Sequence, residues 1–416
     1  MKLHFLLLLF FPAVVWSQNQ KFTTQQFKED FNFFWTTVND EYCYFDKKQT
    51  DWDQVKALYA PVVDTITTRG QFVSTIERAL YEIYDHHASL NTNTDLSQRL
   101  VPSGTDIWAE YLQGKAIIVE VKQNSGAATA QIKAGMEVLA VNGIPVNEAI
   151  KPFIGRSLKQ VDDEAKSYAL RLLLAGNHIQ PRIITLQSGG KASDFYPDKA
   201  GLLLEHKNYT SKTEHYIQES IGYLKINDCL YDNDLIPELD SVLQQMKNTK
   251  GLILDLRNTG SGGNTTVAKA ILGWFINEDH FYQKHDYFAE EKATGIKRSW
   301  VEIVSPRKGN YYDKRLVILV DHWTGSISEG ITIGFDGLKR PNTKIMGTNL
   351  ARLCGAVYTF EMPNTKIHFS IPNERLYHIN GMPRERFVPD TLIDVQNSSS
   401  TADLFLEKAM SYLKSK

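Results

Sequence analysis

The chain has 416 residues, 42% of them hydrophobic and 23% charged, with a formal net charge of −2. That length exceeds what a single hydrophobic core usually serves, so two or three domains are expected. The composition excludes a disordered chain. The near-neutral charge and the lack of any Lys/Arg-rich run leave nothing that would draw in nucleic acid.

Met1-Lys2 supplies a short positive start, Phe5 to Trp16 is almost wholly apolar, and Val15-Trp16-Ser17 ends in a small residue before polar Gln18. This predicts a signal peptide over residues 1–17, cut after Ser17, and an exported, periplasmic or secreted protein. The apolar run is shorter than the roughly 20 residues a span needs, so stable membrane insertion is not expected. The three cysteines, Cys43, Cys229 and Cys354, allow at most one disulfide and form no C-x-x-C pair. They read as buried, small apolar residues.

Residues 18–95 read as a small helical domain. Thr23-Thr24 can cap a helix whose apolar positions Phe27, Phe31, Phe34, Trp35 and Val38 recur at three and four. A second helical stretch runs from about Gln71 to Tyr84, with Phe72, Ile76, Leu80 and Ile83 on one stripe, and ends at Asp85-His86-His87.

Residues 96–196 change to strand character. Ala116 to Val119 looks like a buried strand, and Val138 to Val141 a second one, closed by an Asn142-Gly143 hairpin turn. An amphipathic run from Glu164 to Leu174 and a strand from Arg182 to Leu186 follow. The phrase IKAGMEVLAVNGIPV, Ile132 to Val146, resembles a PDZ domain, a module that captures peptide termini by adding a strand to a sheet edge. The usual carboxylate-binding loop is not evident near Tyr111-Leu112-Gln113-Gly114. Peptide capture and a structural or gating role both remain open.

Residues 197–416 alternate strand and helix. Strands are expected at Ile221 to Ile226, Gly251 to Leu256 and Leu316 to Val320. Helices are expected at Leu235 to Met246, Thr266 to Ile276 and from Ser326 to about Phe335. The continuous apolar strands suit a sheet covered on both faces, the mark of a layered α/β domain.

Three stretches could carry chemistry. In LVILVDHWTGSISEGITIGF, a strand ends in a turn bearing Ser326 before a helix begins. A serine there is lifted out of the sheet beside a helix N-terminus that favours negative charge. Ser326 or Ser328 could equally be a plain helix cap, with Glu329 in the first turn. The second stretch, KGLILDLRNTGSGGN, ends in a Gly-rich loop whose Gly262 or Gly263 amide could join that of Ile327 as an oxyanion donor. No Gly-Lys-Ser/Thr follows, so a phosphate loop is not indicated. The third is DHHASL, Asp85 to Leu90, where His87 suits a general base.

Together LDLRNTGSGG, the GSISE segment, DHHASL, the PDZ-like phrase and the closing RFVPD resemble the carboxyl-terminal-processing and tricorn-core serine peptidases. The resemblance covers most of the chain after the signal. It implies a crotonase-like (ClpP-like) layered α/β catalytic domain behind an N-terminal helical domain and a PDZ-like β-rich domain. The processing branch of that family places a lysine about 25 residues after the serine. The matching stretch GTNLARLCGA has Leu353 there, and Lys339 and Lys344 precede it. The tricorn-like branch takes a histidine from an early D-x-H-(T/A/S)-x-L segment, matching Asp85 to Leu90, and an acid shortly before a Pro-Asp pair, matching Glu385 before Pro389-Asp390. His86 stands where a hydroxyl is more usual.

The implied arrangement is Ser326 as nucleophile, His87 as base and Glu385 as the acid that orients it. Gly262, Gly263 and Ile327 form the oxyanion site, with His86 and Ser328 in support. The resemblance implies neither metal nor organic cofactor. Its substrate would be a peptide or unfolded protein, and oligomers are compatible with it. Two rivals stay open: a ligand-binding protein on the same scaffold, and a scaffolding partner that uses the PDZ-like module alone.

Overall fold

The computed structural model describes residues 21–199, 211–396 and 403–415. The expected signal peptide lies outside the described residues.

The N-terminal region is helical because its caps and apolar spacing agree. Thr23 Oγ1 accepts from the Gln26 N–H, and the Gln26 side chain accepts from the Thr23 N–H, a reciprocal cap at the start of helix Thr24–Glu41. Phe27, Phe31, Phe34 and Val38 are buried as the spacing predicts. Trp35 is only half-buried, and its indole N–H donates to the Trp52 carbonyl at 2.9 Å. The second predicted stretch forms helix Arg69–Tyr81, so the chain leaves helix well before the paired histidines. An intervening helix, Trp52–Val63, is not expected from the sequence. Asp51 caps it and Trp52, Val55, Tyr59 and Val63 face inward, but Pro61 in its last turn obscures the pattern.

The middle of the chain forms a six-stranded sheet in the order Ile107–Leu112, Lys115–Val121, Glu137–Val141, Ile184–Ser188 and Lys191–Phe195, with Ile144–Pro145 pairing Glu137–Val141. Asn142 and Gly143 both take positive φ, 50° and 77°, which the tight hairpin between those two strands requires. Helix Asp163–Ala175 packs over strand Ile107–Leu112. Arg182, expected inside a strand, instead anchors a buried ion cluster with Asp106 and Asp198, at 2.8 and 2.7 Å.

The last part holds a second six-stranded sheet in the order Thr391–Leu392, Thr343–Gly347, Arg315–Val320, Gly251–Asp255, Ile221–Ile226 and Thr213–Gln218. All its pairings are parallel except that of the edge strand Thr213–Gln218. Successive residues point to opposite faces, and both faces are covered. Leu252, Leu254, Leu316, Ile318 and Val320 pack with helices Leu235–Met246, Thr265–Leu272 and Ile327–Gly337. Ile253, Val317 and Leu319 pack with helix Leu404–Lys414. The helix expected to Ile276 stops at Leu272 and tightens into a 3₁₀ turn, Gly273–Phe275.

A further sheet joins sequence-remote pieces. Ser89–Leu90, His368–Tyr377, His280–Tyr287 and Arg298–Val304 run in that order, and Ala356–Glu361 also pairs His368–Tyr377. The aromatic core of the N-terminal helices packs against Phe369 and Ile371 of its long strand. Ser89 and Leu90 pair with Ser370 and Phe369, and this docks the segment after His87.

Candidate active site

Strand Arg315–Val320 delivers the chain to a turn, Asp321 to Gly325, and helix Ile327–Gly337 leads away from it. The turn is knotted by Asp321, whose Oδ1 accepts from the Trp323 N–H at 2.9 Å, and by Thr324, whose hydroxyl accepts from the Asp321 N–H at 2.9 Å. Ser326 sits at the junction with φ 57° and ψ −116°, a conformation costing a non-glycine residue about 1–3 kcal/mol. Its neighbours Gly325 and Ile327 are buried, whereas Ser326 itself is half-exposed, so the distorted residue is the one that faces the cleft. The Ser326 N–H donates to Glu329 Oε2 at 2.8 Å. Ser328 is wholly buried and donates to the carbonyls of Gly325 and Thr259, tying this turn to the Gly-rich loop.

His87 reaches the same point from the other end of the chain. Asp85 shapes its turn: Oδ1 accepts from the His87 N–H at 2.9 Å and Oδ2 from the Tyr42 hydroxyl at 2.9 Å. The imidazole Nε2 lies 3.0 Å from Ser326 Oγ, and Nδ1 lies 2.7 Å from the Cys354 carbonyl oxygen. A carbonyl can only accept, so Nδ1 carries the hydrogen and Nε2 presents its lone pair to the serine hydroxyl. Burial, helped by the positive Arg384, lowers the His87 pKa to about 4. The ring is therefore neutral, and able to take a proton, at any pH well above that.

The Gly-rich loop follows strand Gly251–Asp255. Gly262 has φ 83°, and a β-carbon there would stand 3.6 Å from Ser326 Oγ. At Gly263 a β-carbon would meet the Leu230 carbonyl oxygen at 2.5 Å and Ile327 Cγ2 at 2.6 Å, so only glycine fits. The Asn264 side chain then caps helix Thr265–Leu272 by accepting from the Val267 N–H at 3.0 Å. Among the described residues, the N–H groups of Gly262, Gly263 and Ile327 donate to no protein acceptor. They lie beside Ser326.

This pairing of an exposed serine, a neutral histidine and unoccupied backbone donors is the equipment of acyl transfer. Comparison with known proteins bears on the same residues. The profile of Peptidase family S41 matches residues 220–393, which include Ser326 and the Gly-rich loop. The profile of the Tricorn protease C1 domain matches residues 23–80, which end just before His87. Residues 220–393 are thus a peptidase domain of the S41 type. The chain is a serine peptidase.

No curated protein matches this peptidase by sequence. Solved structures share its fold at low identity. Mature CPAF is 15% identical with a TM-score of 0.58, covering 89% of this chain and 92% of its own. A putative peptidase from Parabacteroides merdae is 16% identical with a TM-score of 0.57, covering 94% and 97%. The photosystem II D1 C-terminal processing protease is 15% identical with a TM-score of 0.54, covering 90% and 93%.

The other residues singled out in the sequence fall as follows. Leu353 is buried in an apolar cluster with Val101, Trp323 and Ala351, so no amine occupies the position of the processing-branch lysine. His86 turns away from His87: it stacks on Tyr168 with ring centroids 4.4 Å apart and accepts from Arg171 Nε at 3.0 Å. Glu385 lies in a 3₁₀ turn, Arg384–Arg386, with its Oε2 buried and unpartnered, and burial raises its pKa. The expectation that its carboxylate holds His87 needs correcting for this geometry. The Nδ1 partner is the Cys354 carbonyl, and no His87–Glu385 hydrogen bond exists among the described residues. All three cysteines are free thiols, with Cys43 and Cys229 buried and Cys354 half-buried. Among the described residues, no helix is long and apolar enough to cross a membrane.

Sequence reasoning missed Cys354, whose contribution is a backbone carbonyl and leaves no residue-type signal. It also missed Arg384, although Arg384 directly precedes Glu385. Its Nη2 donates to the carbonyls of Leu353 at 3.1 Å and Gly355 at 2.6 Å.

Proposed function

We propose that this chain is an exported serine peptidase that cleaves unstructured or carboxyl-terminal peptide segments with Ser326, His87 and Glu385. The observation that carries the reading is the 3.0 Å approach of His87 Nε2 to Ser326 Oγ, with Nδ1 already fixed on a carbonyl. His87 takes the hydroxyl proton as Oγ bonds to the substrate carbonyl carbon. The oxyanion so formed accepts from the N–H of Ile327 and of Gly262 or Gly263. The protonated imidazole then gives its proton to the departing amine, which leaves an acyl-serine ester. Water hydrolyses that ester by the same path in reverse. Glu385 is the acid of this reading by its place in the chain, while Asp85 is the carboxylate whose charge raises the proton affinity of His87.

In this reading residues 1–17 are the signal peptide of a periplasmic or secreted enzyme, and 18–95, 96–196 and 197–416 are helical, PDZ-like and crotonase-like units. The PDZ-like unit has a mainly structural role. The outer edge of strand Ile107–Leu112 is occupied: the Tyr111 N–H donates to Ser167 Oγ at 2.9 Å, and the Ala109 carbonyl accepts from Arg171. A peptide adding there would have to displace both.

The test is covalent labelling with a serine-directed phosphonate, together with hydrolysis of an unstructured peptide. The wild-type chain should label at Ser326 and cleave. Ser326→Ala and His87→Ala should each lose both activities by at least about 10³-fold. Unaltered cleavage in either variant overturns the assignment.

A further inference from the structure

We infer that Arg384 is the positioning residue that aims the Cys354 carbonyl, and through it the base His87, at Ser326. The inference rests on the peptidase reading above and adds a residue outside its expected set.

Nothing in the sequence near Cys354 explains why its carbonyl should hold a catalytic ring. The explanation lies in its two neighbours. Arg384 Nη2 holds the carbonyls of Leu353 and Gly355, on either side of Cys354, at 3.1 and 2.6 Å. With both neighbours held, the path of the chain through Cys354 is fixed, and its carbonyl meets His87 Nδ1 at 2.7 Å. Only glycine fits this path at position 355. Gly355 has φ 54°, and a β-carbon there would lie 2.1 Å from the Glu374 carbonyl oxygen.

The same guanidinium stands at the nucleophile's side. Glu329 Oε2 accepts from the Ser326 N–H at 2.8 Å and from the Leu353 N–H at 3.2 Å, and Arg384 Nη2 lies 3.9 Å from it. Arg384 and Glu329 are both almost fully buried, at 3% and 1% exposure, so the pair acts where solvent screening is weak. One loop, Leu353 to Gly355, is thus held by its amide on the carboxylate and by its carbonyls on the guanidinium. The two reacting side chains share a single support.

Arg384 also acts on His87 by charge. It is the leading electrostatic influence that lowers the pKa of the ring, while Asp85 opposes it. The other charged or titratable groups facing the loop are Glu329, Glu385, Cys354, Lys48, Glu164, Tyr42 and Tyr44. Any buried cation here would shift the imidazole by its charge, so the directional role is read from a variant that keeps the charge and loses the planar fork.

The experiment follows the His87 imidazole by NMR in selectively labelled full-length protein, with His87→Ala supplying the assignment. It compares wild type, Arg384→Lys and Arg384→Gln, and measures kcat and KM alongside. Arg384→Gln removes the charge, and the His87 pKa should rise by about one unit, a tenfold gain in proton affinity. Arg384→Lys keeps the charge but not the flat, multi-donor head. Its His87 pKa should stay near wild type while kcat falls about 10- to 100-fold with KM little changed. Arg384→Lys carries the test if Arg384→Gln does not fold. Full kcat in folded Arg384→Lys, or an unchanged His87 titration in folded Arg384→Gln, overturns the inference. A wild-type chain that cleaves nothing defeats the peptidase reading instead, because the imidazole titration does not depend on turnover.

Discussion

Ser326 and His87 stand 3.0 Å apart, yet the regions that deliver them are built on different plans. The proposed nucleophile belongs to one continuous stretch, Arg315–Val320 followed by Ile327–Gly337, set in the middle of a parallel sheet with cores on both faces. The contacts that shape the turn at Ser326 include local ones, Ser326 to Glu329 and Ser328 to Gly325, beside the longer reach of Ser328 to Thr259. The proposed base is assembled from distant pieces. Asp85 shapes its turn, Ser370 and Phe369 dock the strand after it, Cys354 receives its ring and Arg384 holds the receiver. A reactive hydroxyl can be presented by local geometry alone. Orienting an imidazole requires tertiary structure to be complete, so damage far along the chain should disable the base while leaving the nucleophile intact.

The largest effect that would sharpen this contrast comes from two glycines. Gly263→Ala places a methyl group 2.5 Å from the Leu230 carbonyl oxygen, on the nucleophile's side. It should disorder the oxyanion donors and lower kcat by about 10²–10³-fold. Gly355→Ala places one 2.1 Å from the Glu374 carbonyl oxygen, on the base's side. It should cost a comparable factor by moving the Cys354 carbonyl. Crystal structures should then differ: Gly263→Ala keeps the His87–Ser326 contact, and Gly355→Ala loses it. Loss of that contact in both variants would show that the two regions do not act separately.

Next in size is Glu329→Ala, at the seam between the regions. It strands the N–H groups of half-exposed Ser326 and buried Leu353, the buried one worth about 1–3 kcal/mol when orphaned and the other less. Denaturant titration should show a loss of about 2–4 kcal/mol. Glu329→Gln keeps an acceptor and should recover most of it. If Glu329→Ala were as stable as wild type, the two regions would be independently supported.

Much of the nucleophile's side was legible. The strands and helices around it fall within a few residues of their expected places, because long apolar runs and a Gly-rich turn are local signals. The helix Leu235–Met246 and the strand Ile221–Ile226 coincide with expectation. The sheet that carries the base was not foreseen at all. Strand His280–Tyr287 reads HFYQKHDY, with Gln283, His285 and Asp286 buried among neighbours from elsewhere. Polar residues buried by tertiary partners give no alternating pattern. His87 itself was visible by resemblance, but its true partner is a main-chain oxygen, which no side-chain motif encodes.

A smaller and more diagnostic effect lies in pH dependence. The unfolded chain binds a proton at His87 below about 6.5, the folded chain only below about 4. Between those values the unfolded state carries the extra proton, so this group makes stability fall as pH drops from 6.5 toward 4. Glu329 has the opposite sign. Burial, partly offset by Arg384, raises its pKa from 4.5 to about 7, so its contribution makes stability fall as pH rises through that window. The urea midpoint of wild type should therefore vary little between pH 5 and 6.5. His87→Ala should expose the Glu329 slope, and Glu329→Gln should expose the His87 slope. Parallel profiles in the two variants would break the assignment. The acid limb of kcat/KM should likewise extend toward pH 4, well below the fall expected of an ordinary histidine.

The smallest effect tests where the base region ends. His86 is adjacent in sequence to His87, yet its ring faces Tyr168 and Arg171 on the helix Asp163–Ala175. Burial and the nearby Arg171 lower its pKa, which suits a neutral ring that accepts the Arg171 Nε–H. Arg171 keeps other contacts if the ring is lost, over the Trp108 ring at 5.0 Å and on the Ala109 carbonyl. His86→Ala should therefore cost about 1 kcal/mol of stability through the lost stack. Its kcat should stay within about threefold of wild type, because the Asp85–His87 turn and the Cys354 contact do not pass through that ring. A tenfold loss of kcat at unchanged stability would extend the base's support across to the central sheet, and His86 would then join Arg384 among the residues that aim His87.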